Sequence, residues 1–427
     1  MEAKQSTGDP ARVPAPLATD LDGGCPVDVE ASHGVGPARR GRLTSGIEAW
    51  LVTRYDEVDA ALVDPRLVLS APDVEADLVA RGELPERFAG QFQRARRSLL
   101  STDPPEHTRL RRLVASSFTA RRVEALRPRA EQICEDLVAA LGERSGAVDL
   151  VEAYALPLPV LMICELLGVP PEDREAFRGW TGAIVFDQGD GPAVARYRAA
   201  SASLDDYFGA LVERKRAHPA DDLTSALVAA HDGGSSLDAA ELRTMLALLL
   251  VAGHETTVNL IGSSVLSLLR SPGQFAALRA HPELMASAVE ECLRHVGPVG
   301  FSSLRFTTAA IELGEVTIPA GQAVALGLWA ADHDQGRFPD PAGFDIARPD
   351  NRHLAFGRGA HFCVGANLAR MEAQVAVHTL LRHFEDVSLA VPENELRWRA
   401  ANTRGVIDLP VHLTAVISRA GSIPHFS

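Results

Sequence analysis

Apolar residues along most of the chain recur at three- and four-residue spacing, which is the period of an amphipathic helix. The pattern runs through residues 108–167 and returns at 171–180 and 194–217. Residues 237–270 are apolar almost all round and, at about 1.5 Å per residue, would form a helix roughly 50 Å long. We therefore predict a mainly helical protein whose longest helix passes through the core.

Two parts of the chain change to short β-prone runs bounded by turn residues such as Gly314. A run of the same kind, followed by a helix, is predicted within residues 47–62. The predicted fold class is mainly α with a minor β region. The runs occupy residues 304–306, 311–313, 316–318 and 323–328, and a further group occupies 405–417.

The composition indicates a soluble protein with a large core, since 46% of the 427 residues are hydrophobic and 23% are charged. A net charge of −14 argues against general nucleic-acid binding. Residues 1–24 lack an apolar run, so we expect a disordered tail without signal peptide or membrane anchor, followed by a single domain over 25–427. The most apolar stretch, 245–253, is about half of the roughly 20 residues that span a membrane. We therefore expect no membrane partner and a cytoplasmic location.

The five cysteines are scattered and form no CxxC pair, which argues against a disulfide framework and a structural zinc site. Cys363 stands in the segment Phe-Gly-Arg-Gly-Ala-His-Phe-Cys-Val-Gly at 356–365, just before a helical pattern. An isolated cysteine is most often a small buried hydrophobe. Here the flanking glycines would let the backbone approach a flat ligand. The helix N-terminus would lower the pKa of the thiol below its usual value of about 8.5.

This segment resembles the signature of the cytochrome P450 superfamily of haem-thiolate monooxygenases, Phe-x-x-Gly-x-x-x-Cys-x-Gly. Phe356, Gly359, Cys363 and Gly365 fill its fixed positions. The resemblance implies a cytochrome P450 fold that holds haem b, iron protoporphyrin IX, between the long core helix and the helix after Cys363. It implies Cys363 as the iron ligand, whose electron donation favours O–O cleavage. Phe356, Gly357, His361 and Gly365 are then expected beside the cofactor, with O2 as co-substrate.

The long helix contains Ala-Gly-His-Glu-Thr-Thr at 252–257, which matches a second segment of the family. Gly253 costs about 1 kcal/mol in a helix interior relative to alanine, and a π-bulge or kink there would make room for O2. The resemblance implies that Glu255 and Thr256 deliver protons. The alternative is that Thr256 bonds back to its own helix and Glu255 is a solvated residue. The zinc-protease pattern HExxH is excluded because Val258 stands where its second histidine would be.

A buried Glu-x-x-Arg pair is a third feature of the family, and Glu291 and Arg294 match it. Such pairs are also common on exposed helices, where they contribute only about 0.2–0.5 kcal/mol. The resemblance implies that this pair holds the fold and positions the cysteine loop. One departure lies at His333, where many bacterial relatives have an arginine that helps to hold the segment before that loop.

Cationic partners are required for the two propionates of haem, because buried anions need charged or N–H donors. The resemblance implies that His107, Arg111, Arg305 and His361 supply them. His107 and Arg111 are four residues apart and therefore share a helical face. For Arg111 alone, a solvated basic face is the alternative.

The substrate is expected to be a hydrophobic small molecule held by shape. Aligning the core helix with the family places Leu248, Val251 and Ala252 above the haem, and Val299 should face the same cavity, although Leu248 and Val299 are also compatible with ordinary core. Residues 70–100 and 180–200 lack a rigid pattern and are expected to form the entrance. Arginine far outnumbers lysine, as in GC-rich genomes, so we expect hydroxylation or epoxidation of a natural product such as a polyketide.

Electrons are expected from separate proteins, because no nucleotide- or flavin-binding segment flanks the haem domain. A ferredoxin with its ferredoxin reductase would pass them on from NAD(P)H. Residues 103–130 contain seven arginines and three acids, a basic patch suited to an acidic ferredoxin. A non-catalytic haem carrier or gas sensor is the alternative function, and a peroxide-using enzyme a lesser one. The pair Glu255 and Thr256 favours the monooxygenase.

Overall fold

The computed structural model describes residues 36–43, 45–86, 98–186, 192–232, 237–398 and 402–415. The predicted tail, residues 1–24, and Cys25 lie outside the described residues. Helices dominate the described part, which confirms the predicted fold class. They are α1 Tyr55–Val63, α2 Pro72–Ala80, α3 Glu106–Ala115, α4 Ala120–Gly142, α5 Pro157–Leu167, α6 Arg174–Phe186, α7 Pro192–Ala217, α8 Leu223–Asp232, α9 Ala239–Arg270, α10 Pro272–Ala280, α11 Met285–Val296, α12 Leu328–Ala331 and α13 Ala366–His383.

Three small sheets accompany the helices. The largest has the order β1-β2-β8-β5-β3, in which β2 pairs in parallel with β8 and the other pairs are antiparallel. A second sheet has the order β4-β10-β9, and β6 with β7 forms a hairpin. The strands are β1 Ala38–Arg42, β2 Glu48–Val52, β3 Leu67–Val68, β4 Val148–Asp149, β5 Arg305–Thr307, β6 Ile311–Leu313, β7 Val316–Ile318, β8 Ala323–Leu326, β9 Phe384–Leu389 and β10 Pro410–Ala415.

Helix α9 passes through the core, as its uniformly apolar sequence predicts. It begins at a capping box: the Glu241 N–H donates to Asp238 Oδ1, and the Asp238 N–H donates to Glu241 Oε2, each at 2.8 Å. It ends before Pro272, because proline disfavours a helical conformation in the residue it follows. Helix α9 is long and apolar enough to cross a membrane, but 61% of its most apolar 18-residue stretch is buried inside the protein, as is usual for the core helix of a soluble protein.

The Glu291–Arg294 pair on α11 is fully buried. Arg294 donates from Nε to Glu291 Oε2 at 2.9 Å and from Nη2 to Oε1 at 2.8 Å. Its Nη1 also reaches the carbonyls of Asp332 at 3.0 Å and Pro341 at 2.8 Å. Glu291 further accepts from Arg348 Nε at 3.1 Å, a third member that the sequence pattern does not reveal. This cluster therefore ties the segment that leads to the cysteine loop onto α11.

His333, the departure from the family pattern, is buried against Trp329, with ring centroids 4.3 Å apart. Its Nδ1 lies 2.9 Å from the Trp329 carbonyl oxygen. Burial lowers the pKa of His333 to about 3, so the imidazole is neutral. The local packing is thus made by a neutral ring that stacks on tryptophan.

Two expectations about local structure are wrong. Residues 72–80, expected to lack a regular element, form α2, which starts at Pro72 and buries Leu78. Strands β1, β3, β4 and β9 have no counterpart in the predicted elements. Much of the second expected entrance segment, 180–200, is helical in α6 and α7, and residues 87–97 and 187–191 lie outside the described residues.

Candidate active site

A cavity of about 450 Å³ lies between α9, the start of α3, the approach to β5 and the loop before α13. The structure brings every residue predicted for cofactor binding, proton delivery or substrate contact to the wall of this one cavity. Their separation along the chain shows that the fold, not local sequence, assembles the site. The lining includes His107, Arg111, Leu248, Val251, Ala252, Glu255, Thr256, Val299, Arg305, Phe356, Gly357, His361, Cys363 and Gly365.

The Cys363 loop is closed by a hydrogen bond from the Cys363 N–H to the Phe356 carbonyl at 2.9 Å. The turn requires positive φ at Gly357 (+66°) and Gly359 (+72°), which glycine adopts without strain. A Cβ at Gly359 would also lie 2.8 Å from Val63 Cγ1, so a side chain has no room there. The loop presents the Cys363 side chain to the cavity just before α13 begins, so the sulfur is accessible from the cavity although it lies inside the protein.

The predicted direction of the Cys363 pKa is wrong for the protein without cofactor. Burial raises the pKa of this thiol, and the Gly365 N–H and the Arg111 charge offset only part of that rise. The backbone contribution expected at a helix N-terminus is therefore present but smaller than desolvation. Cys363 would therefore lose its proton when it coordinates a metal cation, because the cation stabilises the thiolate directly.

An anion-binding cradle is formed by two arginines and two histidines: Arg111, Arg305, His107 and His361. The rings of His107 and His361 lie 4.0 Å apart, and burial lowers the pKa of His361 to about 3. Burial also lowers the pKa values of His107, Arg111 and Arg305. His107 Nε2 and Arg305 Nε are buried and have no hydrogen-bond partner among the described residues.

Such unpaired buried donors are costly unless an acceptor joins them. The cradle therefore fits the two carboxylates of a haem, whose iron the cysteine loop would meet. The residues present fit this cofactor on three counts: a thiol at the cavity wall, orphan donors for anions, and glycines where a flat ligand needs close approach.

The middle of α9 carries Glu255 and Thr256 on the cavity wall. The Thr256 hydroxyl donates to the Ala252 carbonyl at 2.7 Å, the back-bond that the alternative interpretation describes. Glu255, in contrast, is only 9% exposed and accepts a hydrogen bond from the Thr403 hydroxyl at 2.5 Å, so its interpretation as a solvated residue is wrong. Helix α9 is α-helical through Gly253 without the π-helical turn suggested there.

Two further residues of the site escape sequence analysis. Glu372 on α13 lines the cavity, and its Oε2 has no hydrogen-bond partner among the described residues. Burial raises the pKa of Glu372 to about 8, so this carboxyl is mostly protonated at neutral pH. A carboxyl among the apolar positions Leu368 and Val375 was the available signal. Thr403, the partner of Glu255, lies 148 residues away along the chain and gives no such signal.

Comparison with known proteins agrees with this geometry. The profile of the family described as Cytochrome P450 matches residues 190–398. "Cytochrome P450 107B1" of Saccharopolyspora erythraea is 47% identical over 376 residues, covering 88% of this chain and 92% of the relative. The chain belongs to the cytochrome P450 family. This P450 is thus a monooxygenase that uses haem b and O2, with hydrophobic substrates and with electrons that reach it from NAD(P)H through redox partners.

Other relatives share most of the chain. The "Mycinamicin IV hydroxylase/epoxidase" of Micromonospora griseorubida is 43% identical and covers 88% of this P450 and 92% of that enzyme. The structure of the tirandamycin C-bound P450 monooxygenase TamI has a TM-score of 0.80 and 42% identity, covering 90% of this chain and 96% of that one. The predicted cytochrome P450 fold is therefore confirmed.

Proposed function

We propose that this P450 hydroxylates or epoxidises a hydrophobic natural product of polyketide type, with Cys363 as the iron ligand. The single observation that carries the proposal is the cavity, which gathers a thiol, an anion cradle, an acid–alcohol pair and an apolar wall. Relatives named for mycinamicin IV and for tirandamycin C support the substrate class.

Haem b is held, in this proposal, by the loop and the cradle together. When bound, it supplies the redox chemistry that activates O2. The Cys363 thiolate ligates the iron. Arg111 and Arg305, with the donor nitrogens of His107 and His361, neutralise and hydrogen-bond the propionates. Phe356 fixes the loop, since the Arg370 guanidinium lies 4.6 Å over its ring.

Proton delivery is assigned to Thr256 and Glu255. The Thr256 hydroxyl can leave the Ala252 carbonyl by rotation about χ1 and then donate into the cavity. Glu255 is held at the cavity edge by Thr403, so its carboxyl is positioned to return a proton to that hydroxyl or to a water beside it.

The substrate rests against Leu248, Val251, Ala252 and Val299. Val251 lines the cavity and is 39% exposed, so it offers apolar surface that a hydrophobic substrate would cover. Leu100, in the first expected entrance segment, also lines the cavity and is largely exposed. An apolar wall with few polar groups selects by shape and favours a large hydrophobic molecule.

The redox partner is, in this proposal, a ferredoxin served by its reductase, and the enzyme works in the cytoplasm. Arg112 and Arg121 are exposed on α3 and α4 within the basic stretch 103–130. Charge reversal at both positions should slow reduction and weaken its dependence on ionic strength. Arg144→Glu, exposed beyond the far end of α4, is the control. Unchanged reduction kinetics in the Arg112→Glu, Arg121→Glu variant would remove the patch from the proposal.

The test of the proposed reaction uses ¹⁸O2. Macrolide and polyketide compounds that shift the spin state of the ferric protein are incubated with NAD(P)H, a ferredoxin and a reductase. Mass spectrometry should find one ¹⁸O atom in the product for each O2 consumed. A product oxygen that derives from labelled water, or turnover that persists without O2, would contradict the proposal.

A further inference from the structure

A second, smaller cavity of about 90 Å³ lies beside the same helix, separate from the reaction cavity. Its wall combines aromatic and other apolar surface with a few polar groups, and is formed by Ser263 and Arg270 of α9, His295 and Val296 of α11, Trp329 and His333, Trp398, and Arg404 with Gly405. The established chemistry of the enzyme gives this cavity no role.

A row of polar side chains on α9 runs from one cavity towards the other. Glu255, Asn259 and Ser263 are spaced by four residues and therefore share one helical face. Glu255 lines the reaction cavity and Ser263 lines the small one, so Asn259 stands between them. Thr403 and Gly405 pack against this face at Glu255 and Asn259.

The segment 403–405 lies along this row of polar side chains. Thr403 lines the reaction cavity and donates to Glu255 at 2.5 Å, whereas Gly405 lines the small cavity. A Cβ on Gly405 would lie 2.5 Å from Asn259 Oδ1, so the Asn259 amide packs directly on this glycine. The Arg404 N–H donates to the Pro298 carbonyl at 2.7 Å, which fixes the register of the segment.

Asn259 is buried and polar, although no residue in the described part of the chain bonds to its amide. Only 3% of the residue is exposed, and neither Nδ2 nor Oδ1 has a hydrogen-bond partner among the described residues. Burying an unpaired donor or acceptor costs about 1–3 kcal/mol, whereas a leucine of the same branched shape would cost nothing of this kind. Buried polar groups left unpaired by protein are typically bound by ordered water.

The small cavity, which Ser263 lines, is suited to hold water at this end of the row. Its volume accommodates several molecules, and its wall offers hydrogen-bonding groups. His295 Nδ1 has no partner among the described residues, and burial lowers the pKa of His295 to about 4, so the ring is neutral and can donate and accept. Arg270 at the rim is balanced by Glu393 at 2.5 Å, and the Arg404 guanidinium lies 3.6 Å over the Trp329 ring.

We propose that the small cavity is a water store from which protons reach Glu255 past Asn259 and Ser263. The proposal rests on the proposed function, in which RH + O2 + 2 e⁻ + 2 H⁺ gives ROH + H2O with electrons from the redox partners. Each proton that Glu255 gives to the reaction cavity is replaced by one passed along water from the small cavity and ultimately from bulk solvent. The Asn259 amide only orders that water, since no bond in the amide forms or breaks.

The test compares Asn259→Leu and Ser263→Ala with Ser264→Ala in the haem-loaded enzyme. Ser264 is the matched control, because it is equally buried on α9, lines neither cavity and donates within the helix to the Leu260 carbonyl at 2.6 Å. The measured quantities are product formed per NAD(P)H consumed, peroxide released, and the midpoint of urea unfolding.

Asn259→Leu should lower the amount of product formed per NAD(P)H consumed by at least about threefold. This is less than the ~10²-fold loss expected on removing a proton-transfer group itself. The midpoint of urea unfolding should be unchanged or shifted to higher urea. Ser263→Ala should have a smaller effect in the same direction, and Ser264→Ala none. Full coupling in Asn259→Leu, or loss of coupling only in parallel with loss of stability, would overturn the proposal.

A second readout does not depend on turnover. A high-resolution crystal structure should show ordered water linking Asn259 to Ser263 in the wild type and not in Asn259→Leu, and a dry, apolar gap in the wild type would overturn the proposal. Failure of the proposed function itself is distinct, because the wild type would then yield no oxygenated product at all.

Discussion

Replacing Glu291 by glutamine should be among the most destabilising conservative changes in this enzyme. The carboxylate is fully buried and accepts from Arg294 Nε and Nη2, Arg348 Nε, Asn351 Nδ2 and the Asp345 N–H. Burial alone would raise the pKa of Glu291, but the Arg294 hydrogen bonds hold it below its usual value, so the group is ionised.

The magnitude follows from the charge that Glu291→Gln leaves behind. Glutamine keeps the shape but leaves Arg294 buried without a counter-ion, and breaking such a pair costs about 3–5 kcal/mol. A typical domain is stable by about 5–15 kcal/mol, so at least about a fifth of the free energy of unfolding would be lost, and most of it if the stability is near the lower limit. Arg294 also donates to the carbonyls of Asp332 and Pro341, so any shift of its unpaired guanidinium would loosen the approach to the cysteine loop.

The assay is urea unfolding of the haem-loaded protein, followed by the carbon-monoxide-bound spectrum of the reduced protein. Glu283→Gln is the control, since its side chain is 70% exposed and its ion pair is with His281 at the surface, and it should stay within about 0.5 kcal/mol of the wild type. Replacing Glu291 and Arg294 together by methionine should recover part of the loss, because the buried Arg294 charge is removed with its counter-ion, whereas Arg348 keeps the carbonyls of Pro339, Asp340 and Gly343 as acceptors. If Glu291→Gln unfolds within about 1 kcal/mol of the wild type, the pair is not the structural element described here.

Three further predictions concern the cavity wall and the cysteine loop. Arg305→Leu should weaken haem retention, measured by haem transfer to apomyoglobin. It should not destabilise the haem-free protein, because the buried Arg305 Nε has no hydrogen-bond partner among the described residues. Faster unfolding of the haem-free form would contradict this. Burial raises the pKa of Glu372 from 4.5 to about 8, so the wild type should lose about 1.4 kcal/mol of stability per pH unit as the pH rises from 4.5 to 8. Glu372→Gln cannot ionise and should remove this loss. Equal pH profiles of urea unfolding for the two proteins would contradict the prediction. Gly359→Ala should lower the free energy of unfolding by about 1–2 kcal/mol because of the positive φ at this position. The close contact of the new Cβ with Val63 should add to that loss. An unchanged unfolding midpoint would contradict the prediction.

Sequence patterns predict the main helices because apolar periodicity reflects burial directly. The limits predicted for the core helix, 237–270, differ from those of α9, Ala239–Arg270, by only two residues. Helix α2 was not predicted, since its nine residues bury little besides Leu78 and Glu75 and leave a weak apolar pattern. Strand β3 has only two residues and exists through its pairing with β5, which no local pattern can show.

The site divides in the same way between local and tertiary information. A contiguous segment carries Cys363 and its glycines, so the sequence predicts the loop. The pKa of Cys363 depends on desolvation by the whole cavity, and its direction was predicted wrongly for that reason. The contact of Thr403 with Glu255 and the packing of Gly405 on Asn259 join parts of the chain far apart in sequence, so only the folded structure shows them.

The most direct measurement of the central claim, that Cys363 binds the haem iron in this cavity, is the carbon-monoxide difference spectrum of the reduced protein. The wild type should show the red-shifted Soret band of a thiolate-ligated haem, and Cys363→Ser should retain haem but lose that band. A serine variant that keeps the thiolate band, or a haem-loaded wild type that never shows it, would contradict the account.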